Sequence, residues 1–280
     1  MIKILVDSGS DINKQQAEEM GVTLIPIEVR FGDEEYFDGV DLLPKEFFEK
    51  LEKSTTLPQT SMINSYRFEE EFKKATQNGD TAIYISLSSK ISGTYNAACE
   101  AAKKFDGKVF VVDSLSATAC QRILCELALR LVKNNMTAED VVKILDEKKF
   151  NIQVVAMVDT LKYLKMGGRI SSLVAFAGEF LNIKPIISLV NGEVKMIGKG
   201  IGVKKSIMFV SDFVKNKGGI DYDMPFYALY SGNSDEIKDK FVKNTGSIWE
   251  GVDNVEFNSL GSTIGTHVGP GAVGLAFFTK

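Results

Sequence analysis

A single imidazole serves this chain of 280 residues: His267 is its one histidine. It stands in Gly265-Thr266-His267-Val268-Gly269-Pro270-Gly271, a glycine-dense stretch entering the last strand candidate. Glycines there let backbone approach a ligand or another segment closely. An imidazole in such a place donates to an anion or moves a proton near neutral pH, or is a hydrogen-bonded structural group beside a turn. Two hydroxyl clusters accompany it. Thr60-Ser61 lies in the loop Leu57–Asn64 just before a helix, and residues Ser86–Thr94 hold four serines where a strand meets the next helix. Free amides and hydroxyls at a helix start make an anion site, and capping alone accounts for one serine per helix. A third candidate is Gly167-Gly168-Arg169, where an arginine after two glycines suits a carboxylate or phosphate, or simply marks an exposed helix stop.

Other chemistries find little support. Gly198–Ser206 resembles a phosphate loop but fails the GxxxxGK[ST] spacing. There is no GxSxG elbow and no HExxH, and one histidine with scattered cysteines argues against zinc. The expectation is no metal, no cofactor and no catalytic residue. Net charge is −4, with 19 basic against 25 acidic residues over 1–150 and 14 against 12 thereafter. Neither half shows the concentrated basic face that nucleic acid requires. Cys99, Cys120 and Cys125 read as reduced thiols. The start MIKILVDS enters a strand pattern with no leader signature, and no apolar run approaches membrane-span length, so no stable membrane anchor is expected. These features predict a cytoplasmic protein.

The elements that must hold these groups alternate in the first half. Strands are expected at 3–6, 22–30 (with Pro26 arguing for a sheet edge), 81–86 and 108–113. Helices are expected at 12–20, 44–53, 65–77, 91–104, 115–133 and 138–148, with Asn64 and Thr137 as caps. Such alternation implies a parallel sheet whose ligands gather beyond the strands' carboxyl ends, at Asp7-Ser8, Ser86–Ser92 and Asp113-Ser114. The second half has another rhythm. Strands at 153–158, 185–190, 193–197, 226–230, 255–258 and 273–278, with helices at 159–166, 173–181, 204–215 and 235–245, predict a mixed sheet with helices on one face. Asn191-Gly192 is a hairpin signal. The fold class is therefore α/β with two domains: a parallel-sheet domain over 1–150 and a mixed-sheet domain over 151–280.

Taken in order, Asp7-Ser8, Thr60-Ser61, Leu87–Tyr95, Gly167-Gly168-Arg169-Ile170 and Thr266–Gly271 resemble the DegV family along the whole chain. These are bacterial fatty-acid-binding proteins that form the lipid-carrying subunit of fatty acid kinase. The resemblance implies a long-chain fatty acid held at and beneath the domain junction. Thr60 and Ser92 would donate to its carboxylate, His267 would be a neighbouring donor, and Ser61 and Arg169 would assist. The partner would be the kinase's catalytic subunit. The sequence departs from the family at Met62-Ile63-Asn64, where members often carry Gln-Pro-Ser. The helix 173–181 is a candidate wall for the tail. Two other readings compete: a serine acyl hydrolase using Ser92 or Ser61 with His267, and a regulatory domain binding a sugar or nucleotide.

Overall fold

The structure, a computed structural model, describes residues 1–170, 182–249 and 251–280. In chain order they form β1 (Ile2–Asp7), α1 (Lys14–Met20), β2 (Thr23–Ile25), β3 (Glu28–Phe31), β4 (Glu34–Phe37), α2 (Pro44–Lys53), β5 (Gln59–Ser61), α3 (Ser65–Thr76), β6 (Thr81–Ser86), α4 (Thr94–Ala102), β7 (Val109–Asp113), α5 (Ala119–Lys133) and α6 (Ala138–Lys148). There follow β8 (Ile152–Met157), α7 (Lys162–Met166), β9 (Ile183–Val190), β10 (Glu193–Ile201), α8 (Gly202–Asn216), β11 (Tyr227–Tyr230), α9 (Glu236–Thr245), β12 (Phe257–Ser259), α10 (Ser262–Val268) and β13 (Val273–Phe278).

A parallel sheet of order β2-β1-β6-β7 and a mixed sheet of order β10-β9-β8-β13-β11-β12 make an α/β architecture. Alternation along each strand sorts side chains between layers. Leu5, Ala82 and Tyr84 meet α3 and α4, whereas Ile4, Val6, Ile83 and Ile85 meet α5. Helix α5 is apolar on most of its circumference because it lies between the two sheets. Its Ile123, Leu124 and Leu127 share one core with Val154, Leu229 and Phe278 of the mixed sheet. Val155, Met157 and Phe277 point the other way, onto Ile207 and Val210 of α8 and Phe241 of α9.

Several expectations shift at their edges. The run 22–30 is two strands in two sheets. Pro26, which has no N–H to give a ladder, ends β2 at the edge of the parallel sheet, and β3 starts a separate antiparallel sheet of order β4-β3-β5. That small sheet was not foreseen, since four- and three-residue strands carry too little pattern. Helix α5 starts at Ala119 rather than 115, because Leu115 (φ 48) and Thr118 (φ 55) hold left-handed backbone. The glycine-dense stretch before β13 contains a helix, α10. Gly265 sits inside it because any side chain there would collide with Phe47 and Phe48 of α2, and Gly269 (φ 76) ends it. The expected helix 173–181 lies outside the described residues.

The caps stand where the sequence placed them. Asn64 accepts from the Arg67 amide at 3.0 Å and Thr137 from the Asp140 amide at 3.2 Å. Asn191 (φ 52) and Gly192 (φ 85) form the turn between β9 and β10. That turn docks on the first half, with Ser88 Oγ donating to the Gly192 carbonyl at 2.8 Å. Alanine at 192 would meet both the left-handed penalty and the Ser88 hydroxyl. We expect Gly192→Ala to lower stability by at least about 1–2 kcal/mol. Urea denaturation would show this as a lower midpoint at an unchanged slope.

Candidate functional site

Where the two sheets face one another, an apolar cavity opens; it encloses about 1000 Å³ of space, the solvent at its mouth included. Val154 and Ala156 of β8, Ile187 and Leu189 of β9, and Leu229 of β11 form one wall. They are the alternate residues to those facing α8 and α9. Leu87, Ile91 and Ala117, from loops beyond the parallel strands, form the opposite wall, and Ile264 and Val268 of α10 close it.

All five residues singled out from the sequence line this cavity: Thr60, Ser61, Ser92, Arg169 and His267. Thr60 is the middle residue of β5, opposite Val29 of β3. Its Oγ1 lies 2.9 Å from Nε2 of His267, near the end of α10. Ser61, next along the strand, is exposed and its hydroxyl lies 3.5 Å from Glu28 Oε1, a marginal bond directed away from Thr60. Ser92 precedes α4. The Ile63 amide donates to Thr94 Oγ1 at 3.3 Å, and Thr94 Oγ1 lies 2.9 Å from Ser92 Oγ. Either hydroxyl of that pair can donate, and when Thr94 does, the Ser92 proton is free to point at a ligand. Arg169 is held by two loops, donating from Nε to the Ile91 carbonyl before α4 at 3.2 Å and from Nη1 to the Gly167 carbonyl of its own loop at 2.6 Å.

Of the three hydroxyl-rich strand ends, that at Ser86–Ser92 reaches the cavity. Asp7 is a structural tie instead. It accepts from Tyr84 Oη at 2.7 Å, the Leu87 amide at 2.9 Å and Gln121 Nε2 at 3.0 Å, and burial raises its pKa to about 6. Asp113 accepts from the Ser89 and Leu115 amides and so shapes the loop.

His267 is largely buried, and that desolvation, with the Arg169 guanidinium nearby, lowers its pKa to about 4. It is therefore neutral at pH 7, a hydrogen-bond partner rather than a cation. Its Nδ1 has no hydrogen-bond partner among the described residues, and a side chain on Gly167 would overlap it. Tyr163 lies in the same way on Gly269. Helices α7 and α10 thus close on each other through two glycines, Gly167 against His267 and Gly269 against Tyr163. The sequence marked the stretch of Gly269 as one where backbone approaches another segment closely, and gave Gly167 only as part of a helix stop before Arg169. Among the described residues no group of three or more His, Cys, Asp or Glu side chains could hold a metal ion. No described helix is long and apolar enough to cross a membrane.

The histidine also carries a pH signature. Its folded-state pKa is depressed, so between about 6.5 and 4 the unfolded chain binds the extra proton and stability falls on acidification. At about 1.4 kcal/mol per pKa unit, the loss reaches about 3 kcal/mol. Asp7 and Asp11, with raised pKa values, slope the opposite way, so the comparison must be with His267→Gln. In ligand-free protein the wild-type advantage over this variant should shrink from pH 6.5 to 4. The imidazole Cε1–H resonance, unique in this chain, should titrate near 4; a midpoint at 6.5 would mean that the ring is solvated.

Comparison with known proteins bears on this geometry. The model of the DegV family, described as an uncharacterised protein family, matches residues 1–280. A fatty-acid-binding DegV family protein from Thermus thermophilus superposes with a TM-score of 0.88 at 29% identity, covering 100% of this chain and 99% of the other. DegV from Bacillus subtilis, described as a fatty acid binding protein, gives 0.84 at 31% identity with the same coverage. A stearic-acid-binding protein from Eubacterium ventriosum gives 0.84 at 26% identity, again over 100% and 99% of the two chains. From its first residue to its last, the chain belongs to the DegV family.

Proposed function

We propose that this chain binds one long-chain fatty acid, tail in the cavity between the sheets, and presents its carboxylate to the catalytic subunit of a fatty acid kinase. The observation that carries the reading is the cavity's polarity: a long apolar wall with Thr60, Ser92, Arg169 and His267 all among its lining residues. Relatives described as fatty-acid-binding proteins support the ligand class. A sixteen-carbon tail withdrawn from water is stabilised by about 0.8 kcal/mol per CH₂, roughly 11 kcal/mol before ordering costs. A carboxylate would be costly to bury unpaired, so the site must supply donors. If Nε2–H of His267 donates to Thr60 Oγ1, the Thr60 proton turns to one carboxylate oxygen and the Ser92 proton to the other. Arg169 adds a nearby positive charge.

A serine hydrolase would need a serine against the imidazole and an acid behind it. Here Nε2 faces Thr60, and Nδ1 faces Gly167. The geometry therefore favours a carrier that supplies an oriented nucleophile, the lipid's own carboxylate, to phosphoryl transfer performed by the partner. In the same reading the halves are two domains divided near residue 150, and the protein works in the cytoplasm.

The organic extract of denatured protein should contain about one equivalent of a C14–C18 fatty acid by mass spectrometry. Thr60→Ala and Ser92→Ala should each weaken palmitate binding by about 1–3 kcal/mol, the usual cost of an unmade bond to a charged group. Loaded wild type with kinase and ATP should yield acyl phosphate. Failure of delipidated protein to take up any C14–C18 acid, or ester hydrolysis by the chain alone, would contradict the reading.

A further inference from the structure

Helix α10 is seven residues long, too short to hold its place by its own hydrogen bonds, yet it carries His267 near its end. Both of its ends are gripped by the first half of the chain. At the C-terminal end Thr60 of β5 meets His267. At the N-terminal end stand two buried carboxyl groups. Asp38, which directly follows β4, accepts from the Ser262 amide at 2.8 Å, the Ser262 hydroxyl at 2.7 Å and the Thr263 amide at 3.1 Å. Asp11, beyond β1, accepts from the Gly261 amide at 2.8 Å. Asp11 also accepts from the hydroxyl of Thr118, itself a cavity-lining residue, and from Asn258 Nδ2 at 3.3 Å.

We propose that Asp38 and Asp11 are positioning residues for the carboxylate site: by clamping the first turn of α10 they set the ring of His267 against Thr60. This rests on the fatty-acid reading given above. The geometry is that of a strut. The small sheet holds α10 at one end through Asp38 and at the other through Thr60, and five residues of helix, about 7.5 Å of rise, connect the two. Two carboxyl groups that accept from the amides of the first turn are well matched to the positive end of the helix, where unpaired amides point. Capping alone needs one hydroxyl or amide side chain, so a pair of buried carboxylates is an expensive cap. Burial raises the pKa of both, Asp11 to about 8, because each carboxyl group is withdrawn from water. Gly261 lies between them: a Cβ there would come within 3.0 Å of Asp38 Oδ1 and 3.3 Å of Asp11 Oδ1. Its backbone (φ −70, ψ 176) suits any residue, so alanine at 261 would press on the two carboxylates without changing charge.

The test uses the full chain and its one histidine. Asp38→Asn and Gly261→Ala would be compared with Val141→Ala, a core change in α6 away from the site. In delipidated protein the ring ¹H and ¹⁵N resonances of His267 are recorded; in palmitate-loaded protein the dissociation rate of palmitate is measured. Both clamp variants should shift the ring resonances and speed palmitate release, Asp38→Asn by about tenfold and Gly261→Ala by less. Val141→Ala should lower the melting temperature and leave both readouts alone. Unchanged ring resonances or an unchanged release rate in Asp38→Asn would overturn the proposal, as would equal shifts in Val141→Ala. A wild type that takes up no palmitate would bring down the fatty-acid reading instead, with the ring resonances still deciding whether the carboxylates place the imidazole.

Discussion

The contact between Thr60 Oγ1 and His267 Nε2 joins residues 207 positions apart, and much of the structure serves to make it at 2.9 Å. Neither partner is charged. A hydroxyl and a neutral imidazole can sit beside an apolar cavity at a modest desolvation cost, where a lysine or an ionised acid could not. The same pair can still satisfy an anion on arrival, because one hydroxyl proton is free to turn toward it. Depression of the His267 pKa is the other face of this constraint: the ring is kept neutral by withdrawal from water and by Arg169.

Holding two neutral groups in register requires rigid neighbours. Thr60 is fixed by pairing of β5 with β3, and His267 by a short helix wedged between α2 and α7. Glycine makes both of those contacts close. Gly265 admits the Phe47 and Phe48 rings, and Gly167 admits the imidazole itself. The hairpin turn on Ser88 ties the mixed sheet to the loop that carries Ser92, so the two cavity walls keep a fixed separation. Stability and site geometry thus share the same contacts, and the substitutions that loosen one are expected to loosen the other.

What the sequence disclosed follows from how local each signal is. Helix α2 and strand β13 lie where they were expected, and so does the Asn191-Gly192 turn, because proline, apolar runs and left-handed residues act within a few positions. Strand 22–30 had to be divided, since nothing local says that the chain leaves one sheet for another at Pro26. Helix α10 read as a loop because its glycines are explained only by the rings of α2 and α7. The hydroxyl clusters, Arg169 and His267 were each visible as residues capable of anion chemistry, and only the resemblance to a family put them in one place. Nothing in the sequence singles out Asp11 or Asp38. Their connection to residues 261–263 spans more than 220 positions and has no spacing to betray it.

A crystal structure of the chain loaded with palmitate tests the central claim most directly. The account predicts carboxylate oxygens within about 2.6–3.2 Å of the Thr60 and Ser92 hydroxyls, with the tail along Val154, Ala156, Leu189 and Leu229. A carboxylate at the opposite end of the cavity, or a lipid bound outside it, would contradict the account.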